Sequence, residues 1–232
     1  MLRETKTRLA AALVLASLCV PFAVAAQSAP GAEEAERLRS VTALFSEVMG
    51  AADKSIPQSI LTKAEGLAIF PSTIKAGFIV GGMRGRGVVV AHSSDGWSAP
   101  AFMTLTGGSF GAQIGGQAAD LILVIMNRRG LESLANNQFK IGADAAAAAG
   151  PVGRDAQAST DVQLRAEILS YSRARGLFAG ITVNGSTLRQ DVDANERFYG
   201  SRLTTRDVIF GNKSGTPEPV SLLRDALARY AK

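Results

Sequence analysis

Five cationic side chains are the residues best suited to binding a charged ligand: Lys75, Arg84, Arg86, Arg173 and Arg175. Arg84 and Arg86 stand in the run GGMRGRG, which predicts a turn. An arginine on such a turn can hold a phosphate by paired hydrogen bonds, with help from bare backbone N–H groups. Arg173 and Arg175 are two residues apart and point the same way if their segment is extended. The pattern predicts a phosphate-binding surface; the alternative is solvated charges without a ligand.

A serine in the pattern G-x-S-x-G, Ser109, indicates a second possible chemistry. This pattern marks the nucleophile of α/β-hydrolases when it stands between a strand and a helix of a parallel sheet. Those enzymes order their triad as serine, acid and histidine, whereas the single histidine, His92, precedes Ser109. We therefore expect no enzyme, and a serine hydrolase using Ser109 is kept only as an alternative.

No cofactor and no metal are expected. His92 is alone and is better explained as a polar residue near the end of a strand. Asp191, Asp193 and Asn195 imitate the opening of a calcium loop, but Glu196 stands where that loop requires glycine.

The N-terminal segment has the layout of a secretory signal. Residues 1–26 begin with basic side chains, continue with the apolar run Leu9 to Val24, and end in small residues. They contain no Arg-Arg pair, which favours Sec export over the twin-arginine route. We expect cleavage and a periplasmic or other extracytoplasmic location. Cys19, the only cysteine, lies inside the segment, and its lipidation is the alternative.

The overall charge is mildly positive, at +5 over 232 residues. Proteins that bind nucleic acid usually carry a concentrated basic stripe, which this sequence lacks, so no nucleic-acid partner is expected. A mild positive charge is compatible with attraction to an anionic surface.

Amphipathic helices are predicted at both ends of the chain. Apolar residues recur at helical spacing from Glu33 to Met49 and again from Val220 to Tyr230. Short helices are predicted for Pro57 to Ala64 and for Val192 to Tyr199. The first helix carries Glu33, Glu34, Glu36 and Glu47. A helix on a membrane surface usually has a basic polar face, so packing against a sheet is favoured.

The centre of the chain is rich in glycine and in β-branched residues. Twelve of the 24 glycines lie between Gly66 and Gly116. We expect an apolar strand that ends at Pro71 and a further strand at Leu121–Met126. Between them, strands at Lys75–Val80 and Val88–His92 flank GGMRGRG, either as a hairpin with a turn there or as a strand–bulge–strand unit. Glycine relieves crowding where strands bend. The sequence therefore predicts a single α+β domain with a strongly curved or barrel-like antiparallel sheet and helices at its ends.

The order of short motifs along the chain resembles that of the SYLF domain, over residues 51–200. The family pattern includes GLAIFP, KAGF, GGxxGxGV, YSxSRGLFAG and NxxFYG. These stand here as Gly66–Pro71, Lys75–Phe78, Gly81–Val88, Tyr171–Gly180 (with Ala174 for the second serine) and Asn195–Gly200. The resemblance implies a lipid-binding module. Eukaryotic members bind phosphoinositides through an N-terminal amphipathic helix and basic surface, and some members bind actin.

The expected organisation is a signal at 1–26, a linker at 27–32 and one SYLF-like domain at 33–232. The expected function is non-enzymatic binding of anionic phospholipid at the cell envelope by the five cations, with shallow insertion of Trp97 or of apolar residues of the first helix. Actin is an unexpected partner for an exported chain. The alternative is an envelope structural or assembly protein acting through protein contacts, including a homo-oligomer.

Overall fold

The computed structural model describes residues 29–51, 55–77, 80–110, 115–136, 138–152, 166–174, 177–181, 183–211 and 217–231. The expected signal at 1–26 lies outside these ranges. Among the described helices none is long and apolar enough to cross a membrane.

Within the described residues the chain forms ten strands and six helices. Strands β1 to β10 span Gly66–Gly77, Val80–Ser93, Gly96–Trp97, Ala101–Phe110, Gly115–Ile125, Gln138–Lys140, Ala147–Ala149, Ile168–Ala174, Leu177–Gly180 and Thr187–Gln190. Helices α1 to α6 span Ala32–Gly50, Gln58–Leu61, Arg128–Leu134, Val192–Tyr199, Thr205–Ile209 and Glu218–Tyr230.

The strands form one sheet in the order β6-β10-β4-β2-β1-β5-β8-β7, while β3 pairs with the end of β2 and β9 with the end of β8. The sheet is strongly curled into a half-barrel with helices at both ends, so the predicted α+β fold is confirmed. The described pairings are antiparallel except β7 with β8, which is parallel and was not expected.

Two apolar clusters lie on the two sides of the sheet. One contains side chains of α1 and α6 packed on alternate strand residues, among them Leu67, Val88 and Ile122. The other contains the intervening strand residues, among them Ala68 and Val89, packed against α3 and α5. Successive strand residues point to opposite faces, which explains this division. The side covered by α1 and α6 is called the α1 face below.

Helix α1 lies on the sheet as its apolar spacing predicts. It buries Leu38, Val41, Phe45 and Val48 completely or almost completely. Packing of this stripe supplies most of the stability of such a helix, because helices in proteins are stabilised more by the burial of an apolar face than by helix propensity. The apolar side of α1 is therefore occupied by the core, which contradicts the expectation that it inserts into a membrane.

The predicted turn at GGMRGRG is wrong, because β2 continues through it without interruption. Its glycines allow β1 to approach closely. A Cβ added at Gly85 would lie 2.4 Å from Thr73 Oγ1, and one at Gly87 would lie 2.1 Å from the backbone oxygen of Ile69. The glycines therefore mark a crowded, bent pair of strands rather than a turn.

The predicted end of β1 at Pro71 is also wrong, since the strand runs on to Gly77. The pairing of β1 with β5 shifts between Phe70 and Thr73, and Ser72 within this irregularity has a φ of 50°. The carboxylate of Asp120 accepts a hydrogen bond from the Ser72 N–H at 2.9 Å. Proline is tolerated in strands at such bulges, because it has no N–H to donate.

The C-terminal third of the chain mostly follows the prediction. Helices α4 and α6 stand where expected, but α5 was missed. This short helix begins with a capping box in which the Thr204 hydroxyl accepts from the Asp207 N–H and the Asp207 carboxylate accepts from the Thr204 N–H. Two short strands, β6 and β7, follow α3 in the chain.

Candidate functional site

Four neighbouring strands place eight polar residues side by side on the α1 face. Arg84 and Arg86 of β2 stand opposite Thr106 and Thr104 of β4. These threonines stand opposite residues of β10, which in turn stand opposite residues of β6. Directly opposed residues of paired strands share a face. Together they form what we call the cationic patch: Arg84, Arg86, Thr104, Thr106, Thr187, Arg189, Gln138 and Lys140.

The cationic patch carries four positive charges and no carboxylate among its eight residues. Its cations come from three of the four strands, and adjacent strands lie about 4.8 Å apart, so the patch is about 14 Å wide. The alternate residues Leu105, Leu188 and Phe139 are buried in the core on the other side of the sheet. That core holds the four strands, and therefore their cations, in a defined array.

An apolar side chain, Ile74, continues the same row on β1. It stands opposite Arg84 and is 59% exposed, which is unusual for an isoleucine. Beside it is an open cleft of about 440 Å³ lined by Pro71, Ser72, Ile74, Arg84, Gly85 and Arg86. The bulge at Ser72 shapes one wall of this cleft. An exposed apolar residue beside arginines matches the chemistry of an amphiphile with an anionic head.

Most cations of the patch are not engaged by the protein itself. Within the described part of the chain, the side chains of Arg84, Arg189 and Lys140 make no ion pair or hydrogen bond. Arg86 is the exception, because its guanidinium donates to the carboxylate of Glu33 in the first turn of α1. The patch therefore presents positive charge that a ligand could neutralise.

Arg173 lies on the same face but outside the patch, and it is tied into the fold. Its guanidinium donates to Asp120 at 2.8 Å and also binds Glu47 of α1. The hydrogen bond with Glu47 raises the pKa of Arg173, and the same bond lowers the pKa of Glu47. Arg173 thus joins α1 to strands β5 and β8.

The two remaining predicted cations are located only in part. The backbone of Lys75 stands opposite Met83 in the pairing of β1 with β2. Arg175 lies outside the described residues. A role in head-group binding stays a prediction for all five cations named from the sequence, and the structure adds Arg189 and Lys140 to them as candidates.

Trp97 is not available as a membrane anchor. Only 6% of the residue is exposed, and its ring stacks on that of His92 with 4.4 Å between centroids. Nδ1 of His92 lies 3.1 Å from the backbone oxygen of Ala64, at the end of β2. Both residues therefore stabilise the end of a strand, and the apolar contribution to binding falls to Ile74 instead.

The residues considered for catalysis and calcium binding have local structural roles. Ser109 lies within the antiparallel strand β4, opposite Gly81, rather than at a strand-to-helix turn. Asp191 accepts a hydrogen bond from the Ala194 N–H at 3.1 Å and so caps the first turn of α4.

Comparison with known proteins finds relatives with related names. The chain is 35% identical over 190 residues to human SH3 domain-containing YSC84-like protein 1, an alignment that covers 80% of this chain and 54% of the relative. It is 34% identical over 182 residues to Protein YSC84 of Saccharomyces cerevisiae, covering 77% of this chain and 38% of the relative. It is 33% identical over 198 residues to LAS seventeen-binding protein 3 of the same yeast, covering 82% and 43%.

The chain thus spans about half the length, or less, of the curated relatives it matches. The sequence pattern of the Ysc84 family, described as Las17-binding protein actin regulator, matches residues 106–230, which is more than half of the chain. That match includes β6, β10 and the second half of β4, and so covers five of the eight residues of the cationic patch: Thr106, Gln138, Lys140, Thr187 and Arg189. The chain therefore belongs to the Ysc84 family, the family of the SYLF domain.

Proposed function

We propose that this protein is a non-enzymatic module that binds the head groups of anionic phospholipids through the cationic patch. The observation that carries the proposal is the register that aligns Arg84, Arg86, Arg189 and Lys140 on one exposed face beside Ile74. The resemblance to a lipid-binding family points the same way, and the patch supplies a physical mechanism for it.

The electrostatic argument depends on the number of unpaired cations. A Lys or Arg held near an anionic membrane contributes about 1 kcal/mol, and the effect falls off within a Debye length. Several cations held on one sheet approach such a surface together, so their contributions combine without the entropy cost of ordering a flexible segment. The threonine hydroxyls between them can donate further hydrogen bonds to phosphate oxygens.

Ile74 adds a shallow apolar contact to this electrostatic attraction. Its exposed side chain stands in the same row as Arg84, so a surface that meets the arginine also meets the isoleucine. Burying an apolar side chain of this size is worth about 1.5–3 kcal/mol when burial is complete. Partial burial at the head-group level contributes a fraction of that.

Vesicle binding tests the proposal directly. We expect the protein to sediment with vesicles that contain phosphatidylglycerol and not with pure phosphatidylcholine vesicles, at low salt. Arg84→Ala should weaken the partition constant about fivefold, as expected for about 1 kcal/mol per charge. Arg129→Ala is the matched control, because Arg129 is an exposed arginine of α3 outside the patch. Equal and negligible sedimentation with both kinds of vesicle would rule the proposal out.

We also propose that this binding takes place outside the cytosol. The support is the basic, apolar and small-residue layout of residues 1–26. N-terminal sequencing of the protein from fractionated cells is the test. A chain that begins near Gln27 in the periplasmic or membrane fraction supports the proposal, and an intact Met1 in the cytosolic fraction contradicts it.

A second candidate function, binding of a protein partner, is favoured by the names of the relatives. LAS seventeen-binding protein 3 is named for a protein that it binds. In this chain the corresponding role would be contact with another protein of the envelope or with a second copy. Sedimentation equilibrium distinguishes the two candidates, since a tight assembly that ignores anionic vesicles favours protein binding.

A further inference from the structure

The carboxylate of Glu33 already occupies one cation of the patch. Glu33 lies in the first turn of α1, and its Oε1 accepts a hydrogen bond from Nη1 of Arg86. Among the described residues it is the only carboxylate that binds a side chain of the cationic patch. A carboxylate and a phosphate oxygen use the same guanidinium donors. An anionic ligand at Arg86 must therefore compete with Glu33.

The contact between Glu33 and Arg86 is easily exchanged. The side chains are 60% and 51% exposed, and ion pairs at such exposure contribute little to stability. Arg86 also lines the cleft beside Ile74, where an incoming head group would approach. Displacement of Glu33 therefore requires no opening of the core.

A second arginine lies close enough to bind the displaced carboxylate. Nη2 of Arg37 lies 3.5 Å from Glu33 Oε1, and the Arg37 side chain is only 7% exposed. Arg37 is held in place by Asp191, also at 3.5 Å, and its guanidinium lies over the ring of Phe102. Glu33 can thus leave Arg86 and keep an ionic partner, which lowers the cost of the exchange.

We propose that Glu33 is a built-in competitor that weakens the cationic patch for phosphate groups until a sufficiently charged surface displaces it. This inference rests on the proposed function, because it concerns the control of the same site. The competitor raises the density of anionic lipid that binding requires, because a dilute anionic surface displaces Glu33 less often than a dense one.

The test compares two neutralised glutamates of the same helix. Glu33→Gln removes the competing charge and nearly keeps the side-chain shape. Glu36→Gln makes the same charge change on an exposed residue whose partner, Arg39, belongs to α1 itself. We expect Glu33→Gln to raise the partition constant on vesicles with 20% phosphatidylglycerol about fivefold, which corresponds to one charge near the surface. We expect less than a twofold change for Glu36→Gln.

A double variant assigns the gain to the contact itself. If Glu33 acts by occupying Arg86, Glu33→Gln should give no gain in a chain that already carries Arg86→Ala. A gain that persists in the double variant contradicts the mechanism. Urea unfolding of each variant checks that the fold is unchanged.

The outcomes separate this inference from the proposed function. If the wild-type protein binds and the two glutamine variants behave alike, the proposed competition by Glu33 is overturned while head-group binding stands. If the wild-type protein fails to bind but Glu33→Gln binds, the competitor is supported. If neither binds vesicles of any phosphatidylglycerol content, the proposed function fails, and the competitor with it.

Discussion

Gly82 and Gly87 belong to the same strand, β2, and differ in the space around them. A Cβ at Gly87 would lie 2.1 Å from the backbone oxygen of Ile69 and 2.6 Å from Cδ1 of Phe70, while nothing lies within 4 Å of a Cβ at Gly82. A backbone atom cannot rotate away as a side chain can. Close packing therefore requires a glycine at position 87, whereas it does not require one at position 82 of the same strand.

We expect Gly87→Ala to lower the free energy of unfolding by about 2–4 kcal/mol, because β1 and β2 must move apart. Gly82→Ala should change it by less than about 0.5 kcal/mol, or raise it slightly through the lower entropy of the unfolded chain. Urea titration followed by circular dichroism measures both. Equal losses in the two variants would show that close approach is not the reason for Gly87.

The buried ion pair of α1 shows how the same helix uses its acids for structure. Glu34 is 1% exposed and accepts hydrogen bonds from Arg197 of α4 at 2.7 and 2.9 Å. This bond raises the pKa of Arg197. Neighbouring glutamates of one helix turn therefore differ in role: Glu34 is locked in the fold, whereas Glu33 stays accessible to solvent.

Among the secondary-structure elements, the amphipathic helices α1 and α6 were predictable from the sequence, whereas the glycine-rich strands and the short helix α5 were not. The apolar residues of α1 recur with the helical period, and that signal is local. In β2 the glycines carry no side chain to reveal a period of two, and the same residues are typical of turns. Only the pairing with β1 shows that they serve close approach.

The candidate site was predictable only at Arg84 and Arg86. Arg189 and Lys140 were missed because each stands alone in a short strand, in TLRQ and in QFK. Arg189 joins the patch because β10 pairs with β4, which brings residues 104 and 189 opposite each other although 85 positions separate them in the chain. Lys140 joins it because β6 pairs with β10. The register between strands so far apart in the chain depends on the packing of the whole core, and it cannot be read from a single sequence.

Helix α1 is joined to strand β8 by a contact that depends on pH. The hydrogen bond from Arg173 lowers the pKa of Glu47 below its ordinary value. The folded protein thus releases this proton more readily than the unfolded chain. The contact contributes its full stability above the ordinary pKa of glutamate, about 4.3, and loses it as the pH falls through the lowered value.

We expect the Glu47 carboxyl to titrate below about pH 4.3, the ordinary pKa of glutamate. Carbon-detected NMR of this carboxyl group measures the titration. In Arg173→Gln the titration should move up toward that ordinary value, because both the hydrogen bond and the charge are gone. Arg39→Gln is the control, since Arg39 pairs with Glu36 instead. An unchanged Glu47 titration in Arg173→Gln would show that the ion pair does not form in solution.

At the scale of the molecule, the acids of α1 bind arginines along the length of the helix, and one of these arginines, Arg86, belongs to the cationic patch. Glu33, Glu34 and Glu47 bind Arg86, Arg197 and Arg173 respectively. The patch lies on the α1 face of the sheet. Helix α3 packs on the opposite side, where Leu131 and Leu134 are buried in the second apolar cluster.

The location of the cationic patch on one side of the sheet predicts the orientation of the protein on a membrane. We expect a fluorophore that reports on its environment, attached at Thr106→Cys in a Cys19→Ala chain, to shift its emission to the blue on vesicles with phosphatidylglycerol. Thr106 is exposed in the centre of the cationic patch. The same fluorophore at Glu132→Cys, exposed on α3 on the opposite side of the sheet, should not shift. A Debye length of about 10 Å at 0.1 M salt weakens the surface potential across the thickness of the sheet and its helix layer, so a shift at both sites would contradict docking by the patch.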